Sequence, residues 1–252
     1  MEKGNNRTVE MFLKFIPEED KINIDYFYYE CLNRNFKRID SVDDVSELLE
    51  NPELDDVQND YFREYSGVNY KHINAALRQT WNYEENGHVE NMEKYKILGQ
   101  NIRELILEHP TILKDDIMVY RGVDLSYFKQ YGINSLEELV SLKDKYMLDT
   151  GLVSTSLTED GCYFKKENDL GLNYNIKINY MVPHEFSDGI VLDKTRAYNP
   201  EQNEFLINSS SLSKVSNVTI NPDGTAFIDV MLLPRQVYDK YYRQSDEKKF
   251  VE

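Results

Sequence analysis

Three short segments of this 252-residue sequence carry side chains that could bind and cleave a charged small molecule. They are Arg121-Gly122, Ser154-Thr155-Ser156 and Gln202-Asn203-Glu204. Arg121 lies near the end of the apolar run IMVYRG (117–122), and its planar guanidinium suits a pair of phosphate oxygens. Gly122 beside it would let a ligand approach the backbone closely. The first segment therefore indicates an anion-binding strand end, although an arginine there is also an ordinary surface charge.

The other two segments place hydroxyls, an amide and a carboxylate on predicted strands. Alternation along a strand puts Ser154 and Ser156 on one face and Thr155 on the other. The same period of two puts Gln202 and Glu204 on one face. Hydroxyls on an inward face need partners, and a carboxylate is a good one. A polar edge strand and an acidic turn are the ordinary explanations of these segments, but the order of all three favours a site.

In this order, the segments resemble the signature of the bacterial exotoxin-type mono-ADP-ribosyltransferases, which runs Arg, then Ser-Thr-Ser, then Glu/Gln-x-Glu. The resemblance includes Rho-modifying clostridial exoenzymes and binary-toxin catalytic domains. An upstream stretch is similar to the same family. Tyr65-Ser66-Gly67 precedes YKHINAALR (70–78), which matches the family's Tyr-x-x-Ile-Asn-x-x-Leu-Arg helix, with Asn74 and Arg78 on one helix face. The resemblance spans about residues 60–233.

The resemblance implies an enzyme that uses NAD as co-substrate and needs no metal. Cleavage of NAD expels nicotinamide and leaves a positively charged ribose, which a preorganised carboxylate stabilises. Glu204 is implied as that carboxylate, and Ser154 as the residue that orients it. Gln202 completes the implied catalytic set, because the family places its target-selecting residue at this position.

The residues that the resemblance implies for NAD binding lie in the same segments and just after them. They are Arg121, Gly122, Asn74, Arg78, Thr155, Ser156 and Phe164. The two arginines would hold the phosphates with help from the asparagine. The glycine backbone would bond the nicotinamide carboxamide, and the two hydroxyl residues would shape its pocket. Phe164 or Tyr163 would pack on the nicotinamide ring. Lys165 or Lys166 would reach a phosphate.

Gln202 narrows the class of acceptor that the resemblance implies. Members of the family with Glu at this position usually modify arginine, whereas members with Gln often modify asparagine on Rho-type GTPases. An amide side chain can hydrogen-bond another amide as both donor and acceptor. We therefore expect an asparagine acceptor, with arginine as the alternative, and Tyr198 as a target-recognition aromatic in the preceding loop.

The leading functional prediction is an NAD-dependent protein mono-ADP-ribosyltransferase acting as a toxin or effector, with a small GTPase as one candidate target. Two alternatives remain open at this point. One is an NAD glycohydrolase, in which water replaces the protein acceptor. The other is a catalytically inactive docking module of the same fold, which the complete signature disfavours. Residues 40–60 hold nine acidic residues and no basic one, which usually indicates a solvated face and less often a surface for a translocation partner.

Composition limits the other partners and the compartment. The sequence carries 29 Lys and Arg against 45 Asp and Glu, and this net charge of −16 disfavours coating of nucleic acid or binding to an anionic membrane. The two cysteines, Cys31 and Cys162, predict free thiols, and four scattered histidines form no zinc motif. We expect no signal peptide and no membrane span. The protein would act in the producing cell or enter a target cell by a non-classical route.

The pattern of apolar residues predicts the elements that hold these segments. Helical spacing predicts helices over 69–82 and about 92–106, and a capping pattern predicts a short helix over about 135–143. After Pro110 the chain reads as short strands, with a hairpin turn at Asn221-Pro-Asp-Gly224. The sequence therefore predicts an α+β fold, with N-terminal helices on a mixed or antiparallel two-sheet core. We expect an acidic helical extension over 1–55 and the catalytic domain over 56–252.

Overall fold

Helices lie mainly in the first half of the chain and strands in the second. The computed structural model describes residues 13–14, 16–41, 44–82, 87–165, 174–198 and 203–238. Its α-helices are α1 (Glu18–Cys31), α2 (Val45–Leu48), α3 (Asp56–Glu64), α4 (Tyr70–Leu77) and α5 (Val89–Glu108). A π-helical turn, Tyr65–Asn69, joins α3 to α4, and 3-10 helices cover Leu125–Tyr131, Glu137–Leu142 and Arg235–Val237. Both longer predicted helices are confirmed with shifted ends, and the predicted short helix is a 3-10 helix.

Among the described residues, ten strands form two sheets of unequal size. The strands are β1 (Leu49–Glu50), β2 (Ile112–Leu113), β3 (Ile117–Val123), β4 (Tyr146–Asp149), β5 (Val153–Ser156), β6 (Ile176–Val182), β7 (Gly189–Leu192), β8 (Glu204–Ile207), β9 (Ser211–Ile220) and β10 (Ala226–Leu232). Strands β1 and β2 pair alone, and the others follow the order β4-β9-β10-β6-β3-β5-β8-β7. Only β10 and β6 run parallel among the described strands. The α+β prediction with a mixed sheet is confirmed.

The large sheet has a weak seam between β3 and β5. These strands share a single paired position, Tyr120 with Ser156, whereas β3 pairs with β6 along its whole length. The sheet is therefore continuous, but it consists of a five-stranded part and a three-stranded part (β5, β8 and β7). The expected two-sheet core takes this form. The motif strands β3 and β5 flank the seam, and the third motif strand, β8, is the next neighbour of β5.

Helices α3, α4 and α5 cover the three-stranded part. Ile73 of α4 and Ile102 of α5 pack into one apolar cluster with Ile190 and Leu206 of the strands. Burying one such side chain contributes about 1.5–3 kcal/mol. The buried face of α4 also includes Asn74, so the packing that stabilises the helix turns this amide inward.

Helix α1 packs against the opposite end of the sheet. Ile24 and Tyr28 lie in an apolar cluster with Leu148 of β4 and Leu212 of β9. The division into an extension over 1–55 and a domain over 56–252 stays a prediction. Among the described residues, we find no helix of the length and apolar character that a membrane crossing requires.

Candidate active site

A central cleft of about 940 Å³ opens where the helices meet the seam of the large sheet. Its walls come from the π-helical turn and α4, the end of β3, strand β5, the loop Gly161–Tyr163 and the first residue of β8. All three sequence motifs contribute, because their strands are neighbours in the sheet. Ser156 pairs with Tyr120 on one side and with Glu204 on the other. Adjacent pairing thus brings together residues that are far apart in the chain.

A chain of polar side chains joins Glu204 to helix α4. Asn74 donates to the Tyr65 hydroxyl over 3.2 Å, and this hydroxyl lies 3.1 Å from Ser154 Oγ. The Ser154 hydroxyl is in turn close enough to the carboxyl of Glu204 to act against the rise of its pKa. The backbone N–H of Leu152 fixes the amide by donating to Asn74 Oδ1 over 2.8 Å. Tyr65 and Asn74 thus connect Ser154 to helix α4, and the role of Ser154 in orienting Glu204 stays a prediction.

Tyr65 is a buried cleft residue for which the sequence predicted no role. It is fully buried at the start of the π-helical turn, and burial together with the nearby Glu204 raises the pKa of its phenol to about 12. The hydroxyl therefore keeps its proton at neutral pH and can donate a hydrogen bond. The signal was present in the sequence as an aromatic residue directly upstream of the motif helix.

Glu204 lies in the cleft with part of its charge uncompensated. Its side chain is buried, and Oε1 has no hydrogen-bond partner among the described residues. Burial raises the pKa of this carboxyl to about 7, although the hydrogen bond with Ser154 and the charge of Arg121 act in the opposite direction. Such a carboxylate is poised to stabilise a positive charge that develops beside it.

Arg121 supplies an uncompensated positive charge in the same cleft. Its Nη1 is buried without a partner among the described residues, and its guanidinium lies 4.9 Å from the centroid of the Tyr127 ring. Burial lowers the pKa of Arg121, but Tyr127, Tyr180 and Asp149 outweigh it and leave the pKa above the ordinary value. The group stays charged and can accept an anion.

Arg78 lies at the cleft but already has a partner. Its Nε and Nη2 pair with both oxygens of Asp149, at 2.8 and 2.9 Å. The sequence predicted Arg78 as a second phosphate ligand beside Arg121. The structure brings both arginines to the cleft wall and adds a carboxylate that no motif announced.

The loop that follows Ser-Thr-Ser places its candidate site residues at different distances from the cleft. Tyr163 lines the cleft, whereas Phe164 packs on Phe227 at 5.3 Å between ring centroids. Phe164 is thus not part of the cleft wall, and the nicotinamide-packing role stays a prediction that the position of Tyr163 favours for Tyr163. Lys165 pairs with Asp223 at 3.4 Å and is not part of the cleft wall, while Lys166 lies outside the described residues.

Gly122 is required for a reason other than the predicted one. A Cβ at this position would lie 2.6 Å from the carbonyl carbon of Tyr163 and 2.7 Å from the nitrogen of Phe164. The loop that contains Tyr163 and Phe164 therefore packs directly against β3, and a glycine at position 122 leaves the room for it. Gly122 still borders the cleft, so its backbone can face a ligand.

The remaining hydroxyls of the Ser-Thr-Ser motif line the cleft and also bond the backbone. Thr155 donates to the carbonyl of Phe205 over 2.6 Å, and Ser156 Oγ accepts from the N–H of Thr158 over 3.3 Å. Gln202 lies outside the described residues. Tyr198 is 74% exposed, and its backbone N–H donates to Ser66 Oγ over 2.7 Å, which puts it at the rim of the cleft.

One group of possible metal ligands lies outside the cleft. Asp116, His184 and Glu185 come together although the spacing of histidines showed no such cluster. Arg34 pairs with the two carboxylates at 3.5 and 2.8 Å, so a side chain already balances one of their two charges.

The sequence of this chain matches a known family. Residues 41–233 match the family described as ADP-ribosyltransferase exoenzyme. The chain belongs to that family. The predicted exotoxin-type ADP-ribosyltransferase is thereby confirmed. No curated protein matches the sequence significantly.

Solved structures of similar proteins agree with the ADP-ribosyltransferase fold. C3stau2 from S. aureus, solved with NAD, is 16% identical over 80% of this chain and 100% of its own, with a TM-score of 0.59. The Clostridium limosum C3 exoenzyme is 17% identical over 79% of this chain and 98% of its own, with a TM-score of 0.60. An ADP-ribosyltransferase from Clostridium botulinum is 18% identical over 79% of this chain and 99% of its own, with a TM-score of 0.55. These values establish a shared fold.

Proposed function

We propose that this ADP-ribosyltransferase cleaves NAD at the nicotinamide–ribose bond and transfers ADP-ribose to a protein side chain. One observation carries the proposal. The cleft holds a buried carboxylate oxygen of Glu204 and a buried guanidinium nitrogen of Arg121, neither with a partner among the described residues. NAD carries a diphosphate and a ribose that becomes positive during cleavage. The two unpartnered charges have the signs that these two groups need.

In the proposed reaction, Glu204 stabilises the positive ribose. Ser154 and Tyr65, which are hydrogen-bonded to each other, orient the Glu204 carboxylate. The C1′–nitrogen bond breaks and its electron pair leaves with nicotinamide. The acceptor's nitrogen forms the new bond to C1′ and releases its proton to solvent. Arg121 and Arg78 hold the diphosphate. The nicotinamide lies against the Gly122 backbone and Tyr163. The structure of C3stau2 with NAD supports the choice of co-substrate.

The test uses labelled NAD with the purified wild type, Glu204→Gln and the matched surface variant Glu90→Gln. Each protein is incubated with a cell lysate as the source of the acceptor. We expect nicotinamide release and a labelled protein band with the wild type and with Glu90→Gln, but not with Glu204→Gln. Nicotinamide release without a labelled band in any lysate would indicate that water is the acceptor. A folded wild type with neither signal would refute the proposal and favour a docking module.

We further propose an amide-bearing acceptor, asparagine on a small GTPase being the leading candidate. The proposal rests on Gln202, and the exposed Tyr198 at the rim of the cleft supports it. Gln202→Glu should preserve nicotinamide release and impair labelling of the native target. Mass spectrometry of the labelled protein identifies the acceptor residue, and arginine there would refute this part.

A toxin or effector role follows from the family, whereas the delivery route and a translocation partner on residues 40–60 stay predictions.

A further inference from the structure

Asp149 is a buried carboxylate at the end of β4, and none of the sequence motifs includes it. It is 6% exposed and accepts from four groups. Arg78 donates twice, at 2.8 and 2.9 Å, the Tyr127 hydroxyl at 3.1 Å and the Gly151 N–H at 2.9 Å. Burial raises the pKa of Asp149, but Arg78 and Arg121 outweigh it and hold the pKa below its ordinary value. The carboxylate is therefore charged at neutral pH.

The geometry of this ion pair leaves part of Arg78 available. Asp149 takes the edge of the guanidinium formed by Nε and Nη2. An arginine carries five N–H donors in a rigid plane, so the edge formed by Nη1 and Nη2 can still grip an anion. Arg78 borders the cleft, and its pairing with Asp149 restricts the plane of the fork.

Gly151 holds the other side of the same guanidinium. A Cβ at this position would lie 2.7 Å from Cζ of Arg78, a distance at which something must shift. The guanidinium thus lies directly against the backbone of Gly151, while the N–H of this residue bonds Asp149. Backbone and carboxylate together leave Arg78 little freedom to rotate.

Asp149 also connects to Arg121, through Tyr127. The Tyr127 hydroxyl donates to Asp149, and the ring of Tyr127 lies 4.9 Å from the Arg121 guanidinium. A cation at this distance from an aromatic ring is attracted to it. Asp149 therefore positions both arginines at the cleft. It holds Arg78 directly and Arg121 through the ring of Tyr127.

We propose that Asp149 is a positioning residue that presets the arginine pair for the diphosphate of NAD. This inference rests on the proposed function, because it assigns Arg78 and Arg121 to the phosphates. Asp149 itself does not touch the substrate. Its contribution is to fix two flexible cationic side chains before binding, so that NAD does not have to order them.

The sign of one mutational effect distinguishes positioning from simple charge. A carboxylate near a diphosphate repels it, so on charge alone removing Asp149 strengthens NAD binding. Positioning predicts the reverse. We expect Asp149→Asn to raise the KM and the Kd for NAD about ten-fold or more, the worth of one charge-assisted hydrogen bond, with a smaller change in kcat. ADP, a diphosphate probe without nicotinamide, should lose affinity by a similar factor in calorimetry.

A double-mutant cycle separates this role from a purely structural one. In an Arg78→Met background, Asp149→Asn should lower the affinity for ADP clearly less than about ten-fold, because only Arg121, which Asp149 places through Tyr127, is left to position. Asp56→Asn, at an exposed position on α3, is the matched control and should bind as the wild type. Thermal unfolding is recorded for each variant. Unchanged or tighter ADP binding by folded Asp149→Asn, or an additive cycle, would overturn the proposal.

Two further variants carry the test if Asp149→Asn does not fold. Tyr127→Phe keeps the ring beside Arg121 and removes only the hydroxyl, and should weaken ADP binding roughly two- to ten-fold. Gly151→Ala should displace the Arg78 guanidinium and weaken ADP binding further. Wild-type affinity in both would refute the positioning role. A wild type that binds no NAD and releases no nicotinamide refutes the proposed function instead, so the two failures are distinguishable.

Discussion

The buried hydroxyl of Tyr65 lies 3.1 Å from Ser154 Oγ and so joins the helical side of the cleft to its strand side. Tyr65 precedes α4, and Ser154 lies on β5, 89 positions further along the chain. Asn74 donates to the same hydroxyl, and the Ser154 hydroxyl acts in turn on the carboxyl of Glu204. Because the phenol keeps its proton, this path orients the carboxylate without adding a charge beside it.

Tyr65→Phe should reduce nicotinamide release about ten-fold with little change in the KM for NAD. The Glu204 carboxylate loses the orientation that Tyr65 provides through Ser154, whereas the proposed phosphate ligands are not affected. The variant also leaves the Asn74 amide without this acceptor, at a cost of about 1–2 kcal/mol in unfolding free energy. Steady-state kinetics and denaturant unfolding measure both. Tyr61→Phe on the preceding helix is the matched control, and equal kinetic effects of the two variants would contradict the role of Tyr65.

Glu204→Gln should lower the rate of NAD cleavage by at least about 100-fold, because a neutral amide cannot stabilise a developing cation as a carboxylate does. The side chains have almost the same shape, so circular dichroism should be unchanged. A folded variant with more than about a tenth of the wild-type rate would remove Glu204 from the mechanism.

The same substitution should stabilise the fold at high pH. The folded-state pKa of Glu204 is raised to about 7, so folding favours the protonated form, and stability falls as pH rises from the unfolded-state pKa through 7. The full effect is about 3 kcal/mol, because a tenfold change in a protonation equilibrium corresponds to about 1.4 kcal/mol. Glu204→Gln should therefore raise the unfolding free energy at pH 8 and leave it unchanged at pH 4. A gain that is equal at both pH values would argue against a raised pKa.

The pH profile of the wild type provides an independent measurement. The proposed mechanism needs Glu204 ionised, so kcat/KM for NAD should rise about ten-fold per pH unit on the acid side and level off above a midpoint near 7. Nicotinamide release over pH 5–9 at constant ionic strength reports this midpoint. A midpoint near 4.5 would show that the pKa of the carboxyl is not raised in the free enzyme.

Gly122→Ala should raise the KM for NAD and lower stability by roughly 1–3 kcal/mol, because the new methyl group overlaps the backbone of Tyr163 and Phe164. The loop must move away from β3 and take Tyr163 with it. Kinetics and thermal unfolding measure the two effects. Wild-type stability in this variant would show that the loop does not pack against β3 as described.

Several elements of the fold and site follow from the sequence because they need only local periods. Helical spacing places Asn74 and Arg78 on one face of α4, and strand alternation aligns Ser154 with Ser156. Motif order then indicates a site at Arg121, Ser154 and Glu204, and neighbouring strands bring all three to one cleft. Which of Phe164 and Tyr163 lines the cleft was not accessible in the same way, because the loop that contains them has no regular period, and Lys165 adopts a positive φ of 57°.

The amino-acid sequence by itself determined the family, the α+β class and the three motif strands, since these depend on residue identity, order and period. Only the tertiary structure decided which buried groups meet. Arg78 reaches Asp149 across 71 positions, and Tyr65 reaches Ser154 across 89. The residue type of a hydroxyl or a carboxylate does not specify its distant partner, because many different pairings would satisfy its hydrogen bonds. Packing of α4 against the strands selects one of them, and it thereby sets the electrostatics of the cleft.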